Sequence, residues 1–387
     1  MTPLRVLTVS HACVIDENQR LFAELGSQPD LEVGLVAPAR WKTDLRGSQA
    51  FAALPGFPGP VFPLRPVFNG RGTLHFYPAA ARAVRAFRPD VIHLDEEPWS
   101  LAAWQFAELG ARRRARVFFH TKENLPKRYP FPFPAIERRV FTLSAGALAM
   151  TREAEDVLRG KGFTKPVVTV PHVIDPAQFH PREGSELRRA VGVEGTVVGY
   201  LGRLSVEKGV LDLIEALGRL AGQGRLGNAT ALVIGSGPLE AELPRRAAAL
   251  GLGGRLRLLP ALPHRDVAPY YGCADIVVVP SRTVPRWKEQ FGRVLIEAWA
   301  SGCAVIGSDS GQIPHLIRET GGGLIVPEGD VPALGEALHG LLRDPEARRR
   351  YAAQGRAAIL DAYTPGPVAR RVRDVYRGRE SPRCVPR

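Results

Sequence analysis

The chain has 387 residues, 45% of them hydrophobic, and its 52 basic against 39 acidic side chains give a formal net charge of +13. That length exceeds what one hydrophobic core normally supports, so two domains are expected, and the composition excludes a disordered or fibrous chain. No apolar run approaches the roughly 18 residues of a membrane span, and the scattered Cys13, Cys273, Cys303 and Cys384 have neither paired nor zinc-type spacing, so no metal site is expected.

The amino terminus, MTPLRVLTVSHACVIDENQR, lacks the layout of a signal peptide, which points to a soluble, cytoplasmic chain with reduced thiols. The charge excess is spread evenly, 23 basic against 17 acidic residues in 1–175 and 29 against 22 in 176–387. Such a balance suits anionic ligands, and it admits peripheral contact with the inner face of a membrane. No helix-turn-helix, RNA-binding or zinc-finger pattern accompanies it, so no nucleic-acid partner is expected.

In chain order, short apolar, β-branched runs predict strands at 4–10, 32–38, 91–94, 116–120, 146–150 and 167–170. A second set follows at 196–202, 229–235, 255–259, 275–280, 303–308 and 323–326. Amphipathic stretches between them leave room for helices. This alternation implies α/β architecture with two doubly wound parallel sheets. The Pro-rich stretch 54–66 reads as an ordered loop or flap, and 176–195 as a linker whose second part forms a short helix. The first domain is placed at 1–180 and the second at 190–363. A tail from about 364 to 387 begins as a helix with Val368, Val372, Val375 and Tyr376 on one side, and ends basic and frayed.

Ligands of open parallel sheets sit beyond the carboxyl ends of the strands. After the first strand of the second domain comes GRLSVEKGV, where Gly202 frees the backbone and Arg203 and Lys208 flank a loop leading into a helix over 209–221. Two cations beside helix amides make a diphosphate site, although two exposed basic residues on a loop would look the same. The next strand ends in GSGPLE, a glycine turn through Gly235 and Gly237 that lets backbone approach a ligand; it is not a dinucleotide fingerprint. Further on, EQFGRVLIEAWASG places Glu289 in a loop and Glu297 inside the following helix, at most ~12 Å apart were the span wholly helical. Acids near a helix start are favoured by its dipole in any case. A carboxylate also accepts two hydroxyl protons at once, which fits the diols of ribose and hexose.

Taken jointly and in order, these motifs resemble those of the retaining glycosyltransferases of family 4, which have the two-domain GT-B fold. GRLSVEKG is similar to that family's Gly-Arg-Leu-x-x-x-Lys-Gly phosphate motif and IGSGP to its Val-Gly-x-Gly-Pro turn. The stretch from Pro280 to Ile317 is similar to its segment with two glutamates eight positions apart, GGGLIVPEGD (321–330) matches a further landmark, and VPHVIDPAQFHP (170–181) replaces a usual Pro-Asn-Gly-Val-Asp. The first domain departs more: SHACVIDENQ stands where a glycine pair is usual, Gln290 replaces a glycine, and His315 stands where Glu often does.

The resemblance implies two Rossmann-like domains facing across a cleft, with the tail helix packing back on the first. It implies a nucleotide-diphosphate sugar as co-substrate, either a UDP- or a GDP-sugar, and a sugar or lipid-linked acceptor in bacterial polysaccharide or glycolipid synthesis. Arg203 and Lys208 would neutralise the diphosphate, Glu297 would hold the ribose, and Glu289 the hexose with Phe291, Gly292 and Val294 around it. His120, ending the strand in VFFHTKEN, would touch the sugar from the other domain, unless it is only a strand-end histidine bonded to backbone. No Asp-x-Asp is present, so transfer would be metal-independent, anomer-retaining and free of cofactors. Acceptor candidates are His11, Glu96, Glu97, Trp99, Asn124, Lys127, Arg128 and Tyr129, with simple packing the competing account of Trp99. ARRRAR (111–116) is a solvated helix end or a docking patch. A nucleotide-sugar epimerase on the same scaffold, and more remotely a basic nucleic-acid-binding protein, are the competing functions.

Overall fold

The computed structural model describes residues 2–43 and 47–379. The chain divides into two compact units, 1–173 with 365–387, and 174–364. The division falls at Val173/Ile174, earlier than the boundary expected at 180. All of the stretch read as a linker belongs to the second unit, where helix Ser185–Val191 is tied down by Arg188 bonding the Cys273 carbonyl and Asp275.

In the first unit, seven parallel strands run β1 (Leu4–Val9), β2 (Leu31–Pro38), β3 (Val61–Leu64), β4 (Val91–Leu94), β5 (Arg116–Thr121), β6 (Ser144–Ala149) and β7 (Val167–Thr169). Their order in the sheet is β3-β2-β1-β4-β5-β6-β7, so the winding reverses between β1 and β4. Burial on both faces explains the nearly unbroken Val, Leu and Ile runs. β3 corrects the loop reading of 54–66: it pairs only with β2, Ala37 opposite Pro63. An edge strand tolerates a proline because one row of its amides is not needed for pairing. A short antiparallel pair, Arg40–Thr43 with Gly47–Ala50, was also not anticipated.

The second unit repeats the scheme with β8 (Val197–Leu201), β9 (Thr230–Ile234), β10 (Leu256–Leu259), β11 (Ile276–Val279), β12 (Ala304–Ser308) and β13 (Gly323–Val326). Here the order is β10-β9-β8-β11-β12-β13, reversing between β8 and β11. Its helices begin where their sequence says. Asp330 and Asp344 each accept an amide three residues on, and each is followed within two positions by a proline in the first turn.

The tail returns to the first unit as helix Pro365–Tyr376, burying Val368, Val372, Val375 and Tyr376 against helix Arg20–Gly26. The Tyr376 hydroxyl meets His93 Nδ1 of β4 at 2.5 Å. The expected frayed end, with Cys384, lies outside the described residues from 380 onward.

Candidate functional site

In both units polar side chains gather at the carboxyl ends of the two strands where the winding reverses, the place at which open sheets bind ligands. In the second unit those strands are β8 and β11. Beyond β8 the chain passes Gly202 and a single turn, Val206–Lys208, before helix Val210–Gly222. Gly209 joins turn to helix at φ 67°, and a Cβ there would stand 1.8 Å from the Pro280 carbonyl oxygen beyond β11. Only glycine admits both the conformation and that approach, and the junction draws Lys208 against the β11 loop.

Lys208 Nζ bonds Glu289 Oε2 at 2.7 Å and lies 4.6 Å from the Trp287 ring centre. Ser281, the second residue past β11, donates its hydroxyl to the same Glu289 oxygen at 2.9 Å. The Glu289 main chain is held as firmly: its carbonyl accepts the Gln312 amide at 3.2 Å, and a Cβ at Gly311 would come within 2.0 Å of that oxygen. A buried carboxylate is thus paired with a half-buried ammonium, as a buried charge must be.

Glu297 sits on helix Arg293–Ala300, which starts at Gly292 (φ 82°) with no side-chain cap. Buried Phe291 precedes that glycine, and half-buried Val294 lies in the first turn. Both Glu297 oxygens are engaged, Oε1 by His264 Nε2 at 2.8 Å and Oε2 by the Tyr271 hydroxyl at 2.7 Å. Burial, and then the Glu297 charge, push the Tyr271 hydroxyl pKa well above its usual value. An ionised carboxylate offers about four lone pairs; hydrogen bonds among the described residues use two here.

Arg203 is exposed and makes no ion pair among the described residues; its carbonyl accepts the Tyr200 hydroxyl at 2.7 Å. Of the two expected cations, Lys208 is the one that bonds Glu289. The glycine turn is also tightly packed. A Cβ at Gly235 would lie 1.8 Å from the Gly202 carbonyl oxygen, and one at Gly237 2.4 Å from that of Leu204. What presses on this turn is the neighbouring loop of the same unit.

In the first unit the reversing strands are β1 and β4. β4 runs into Asp95, Glu96 and Glu97, and β5 ends at His120 and Thr121. His120 Nδ1 lies 3.3 Å from Asp95 Oδ1, which Lys122 Nζ approaches to 3.1 Å, while the Ser10 hydroxyl donates to Oδ2 at 2.7 Å. Burial opposes the Asp95 charge, yet Lys122 and His120 hold its pKa well below the carboxylate range. His120 is thus oriented by a carboxylate rather than by backbone, and its Nε2 is buried with no hydrogen-bond partner. His93, behind it, is kept neutral: burial, then the neighbouring His120, lower its pKa to about 3.

Glu96 accepts the His11 amide and ring Nδ1, each at 2.7 Å, and faces His75 Nε2 at 3.5 Å. Burial would raise its pKa, but His11 and His75 bring it to about 2. Glu97 is spent internally on the Thr121 hydroxyl (2.8 Å) and the Lys122 amide (2.7 Å), and burial pushes its pKa up to about 7. Trp99 stacks on Tyr129 at 4.6 Å, and buried Asn124 bonds Glu153 at 3.2 Å. Lys127 and Arg128 stay exposed. Sequence reasoning missed Asp95, His75, Trp41, Ser281, Trp287, His264 and Tyr271. Of these only Asp95 and Ser281, each directly after a predicted strand, carried a local signal.

Residues 22–178 match the family model described as Glycosyltransferase Family 4, and residues 186–358 the one described as Glycosyl transferases group 1. The chain is 28% identical over 248 residues to an alpha-D-kanosaminyltransferase of Streptomyces kanamyceticus, covering 62% of each. It is 33% identical over 236 residues to a D-inositol 3-phosphate glycosyltransferase of Xylanimonas cellulosilytica, 57% of this chain and 54% of that one. The matched stretch thus spans between about half and two thirds of these relatives' lengths. The solved structure of HepE from Anabaena in complex with UDP superposes with a TM-score of 0.73 at 19% identity, over 97% of this chain and 100% of the other. Two matching family models and two doubly wound parallel-sheet units place the chain in the family 4 glycosyltransferases, with the GT-B fold.

Proposed function

We propose that the chain is a retaining, metal-independent glycosyltransferase that moves a hexose from a UDP- or GDP-sugar to a sugar or lipid-linked acceptor. The observation carrying this is the Lys208–Glu289 contact at the reversal of the second sheet. It sets a fixed cation and a hydroxyl-binding carboxylate side by side at the strand ends. As the C1–oxygen bond to the diphosphate breaks, negative charge develops on the leaving phosphate, and a preorganised ammonium stabilises it without solvent reorganisation. The acceptor oxygen bonds C1, and its proton leaves with the nucleoside diphosphate. Exposed Arg203 is free to swing onto the phosphate once it is present. Glu297, held at its far side by His264 and Tyr271, offers its remaining lone pairs to the ribose diol.

His120, aimed by Asp95, presents a lone-pair nitrogen for a sugar hydroxyl. One relative is named for the transfer of a kanosaminyl sugar and the other for an inositol phosphate; the second name supports a ring bearing several hydroxyls as acceptor, and our reading puts the transfer in bacterial glycolipid or polysaccharide synthesis in the cytoplasm. No helix among the described residues is long and apolar enough to cross a membrane, in keeping with a peripheral site of action.

A thermal-shift panel of nucleotide sugars tests the donor: a ligand at 100 times its Kd stabilises the fold by about 2.7 kcal/mol. NMR of the product from the best donor, with and without added Mg²⁺ or Mn²⁺, tests the rest. A flat panel, an inverted anomer or a strict requirement for the added ion would each sink the corresponding part.

A further inference from the structure

The first unit contains a ligand set that the transfer chemistry does not use. His11, His75 and Glu96 are remote in sequence, yet each offers one ligand atom and the three atoms lie within 4.8 Å of one another. The ring of His75 is completely buried, and its Nδ1 lies 2.9 Å from the Gly72 carbonyl oxygen. A carbonyl only accepts, so Nδ1 carries the hydrogen and the lone pair is on Nε2. That nitrogen has no hydrogen-bond partner, and 3.5 Å away stands the Glu96 carboxylate. Two electron-rich atoms facing each other away from water need positive charge between them. The 3.5 Å separation is too long for a good charge-assisted bond between them.

We propose that His75 Nε2, His11 Nδ1 and a Glu96 carboxylate oxygen form a binding site for a divalent transition-metal ion of the zinc type, which would displace to solvent the hydrogen that His11 Nδ1 gives to Glu96. Two imidazoles and a carboxylate are a zinc donor set that leaves a fourth position open. The His75-to-carbonyl bond is the outer contact that fixes the tautomer of a ligating histidine. Trp41 packs against both imidazoles, its ring centre 4.9 Å from each, and Tyr77 stands edge-on to His75 at 5.5 Å. His11, with 32% of its side chain exposed, is the side open to an entering ion. To bind zinc the three atoms would close to the ~3.3 Å edge of its tetrahedron. The ion would cross-link the ends of β1 and β4 to the Gly72–Tyr77 segment, separately from the phosphate chemistry of the second unit.

The test is a titration of Zn²⁺ alone into chelator-stripped full-length protein, read by competition with a chromophoric chelator and by calorimetry. The expected result is one equivalent bound, weakened at least 30-fold by His75→Ala and by Glu96→Gln, and unchanged by His180→Ala in the other unit. Zinc-edge X-ray absorption of the loaded protein should show imidazole scattering that falls by about half in His11→Ala. This variant alters only the most exposed ligand and keeps the test valid if the buried variants misfold. Wild-type binding no tighter than that of His11→Ala, a stoichiometry far below one, or equal weakening by His180→Ala would overturn the assignment.

Discussion

Replacing Lys208 by alanine separates two quantities that the second-unit site couples. In the folded protein the ammonium lies 2.7 Å from Glu289 Oε2. At an effective dielectric constant of about 20, that separation is an attraction of about 6 kcal/mol, most of it cancelled by desolvation of both groups. Removing one partner leaves the Glu289 carboxylate, with 9% of its side chain exposed, without its ammonium, while the Ser281 hydroxyl still donates to it. Because Lys208 itself is 28% exposed, the stability loss should be about 1–2 kcal/mol rather than the ~3–5 kcal/mol of a fully buried pair. The catalytic loss should be larger, about 2–4 kcal/mol, or ~30–1,000-fold in kcat, because the charge on the leaving phosphate develops only in the transition state. Urea unfolding measures the first quantity. Nucleotide release from the donor that best stabilises the protein measures the second. Adding Glu289→Gln to Lys208→Ala should recover much of the stability, since no unpaired charge remains, and none of the rate. Nucleotide release within threefold of wild type in Lys208→Ala would refute the phosphate role.

Glu289→Gln should lower turnover while leaving the affinity for UDP or GDP within about threefold, whereas Glu297→Gln should weaken nucleotide binding by roughly tenfold, about 1.4 kcal/mol; calorimetry showing equal losses would remove Glu289 from the sugar. Gly209→Ala forces a side chain into φ 67° and to within 1.8 Å of the Pro280 oxygen, so a cost above ~2 kcal/mol is expected, and a loss under ~1 kcal/mol in urea unfolding would contradict the close approach. His93, with a folded pKa of about 3, stays neutral where the unfolded chain takes up a proton near its ordinary value of about 6.5. Its stabilising contribution is complete above pH 6.5 and drains away as the pH falls toward 3. Between pH 7 and 5 the wild type should therefore lose about 2 kcal/mol more than His93→Gln, and parallel pH–stability curves would argue against a buried neutral imidazole.

Strand positions were legible because a strand buried on both faces must be written in apolar, β-branched residues, and that record is local. The described strands β4 and β13 coincide with the runs VIHL and GLIV, and the other predicted strands depart by a residue or two at one or both ends. Val61–Leu64 escaped because an edge strand can carry prolines that elsewhere mean a turn. The motif glycines were legible as glycines, but their reason was not. Gly235 and Gly237 answer to the carbonyls of Gly202 and Leu204, and such a contact exists only once β8 and β9 lie side by side.

The side-chain constellations depend on strand order, and no periodicity encodes strand order. Lys208 and Glu289 are 81 residues apart, His11 and Glu96 85, His93 and Tyr376 283. Each pair meets because a sheet reverses its winding at one place, or because the last helix returns to the first unit. The residue sequence alone sufficed for two parallel sheets and for motifs at their carboxyl ends, since both follow from short-range burial and turn chemistry. Which acid takes which cation, and how two histidines and a glutamate converge beside Trp41, were settled by packing, because free energies of pairing depend on distances that arise only in the folded chain.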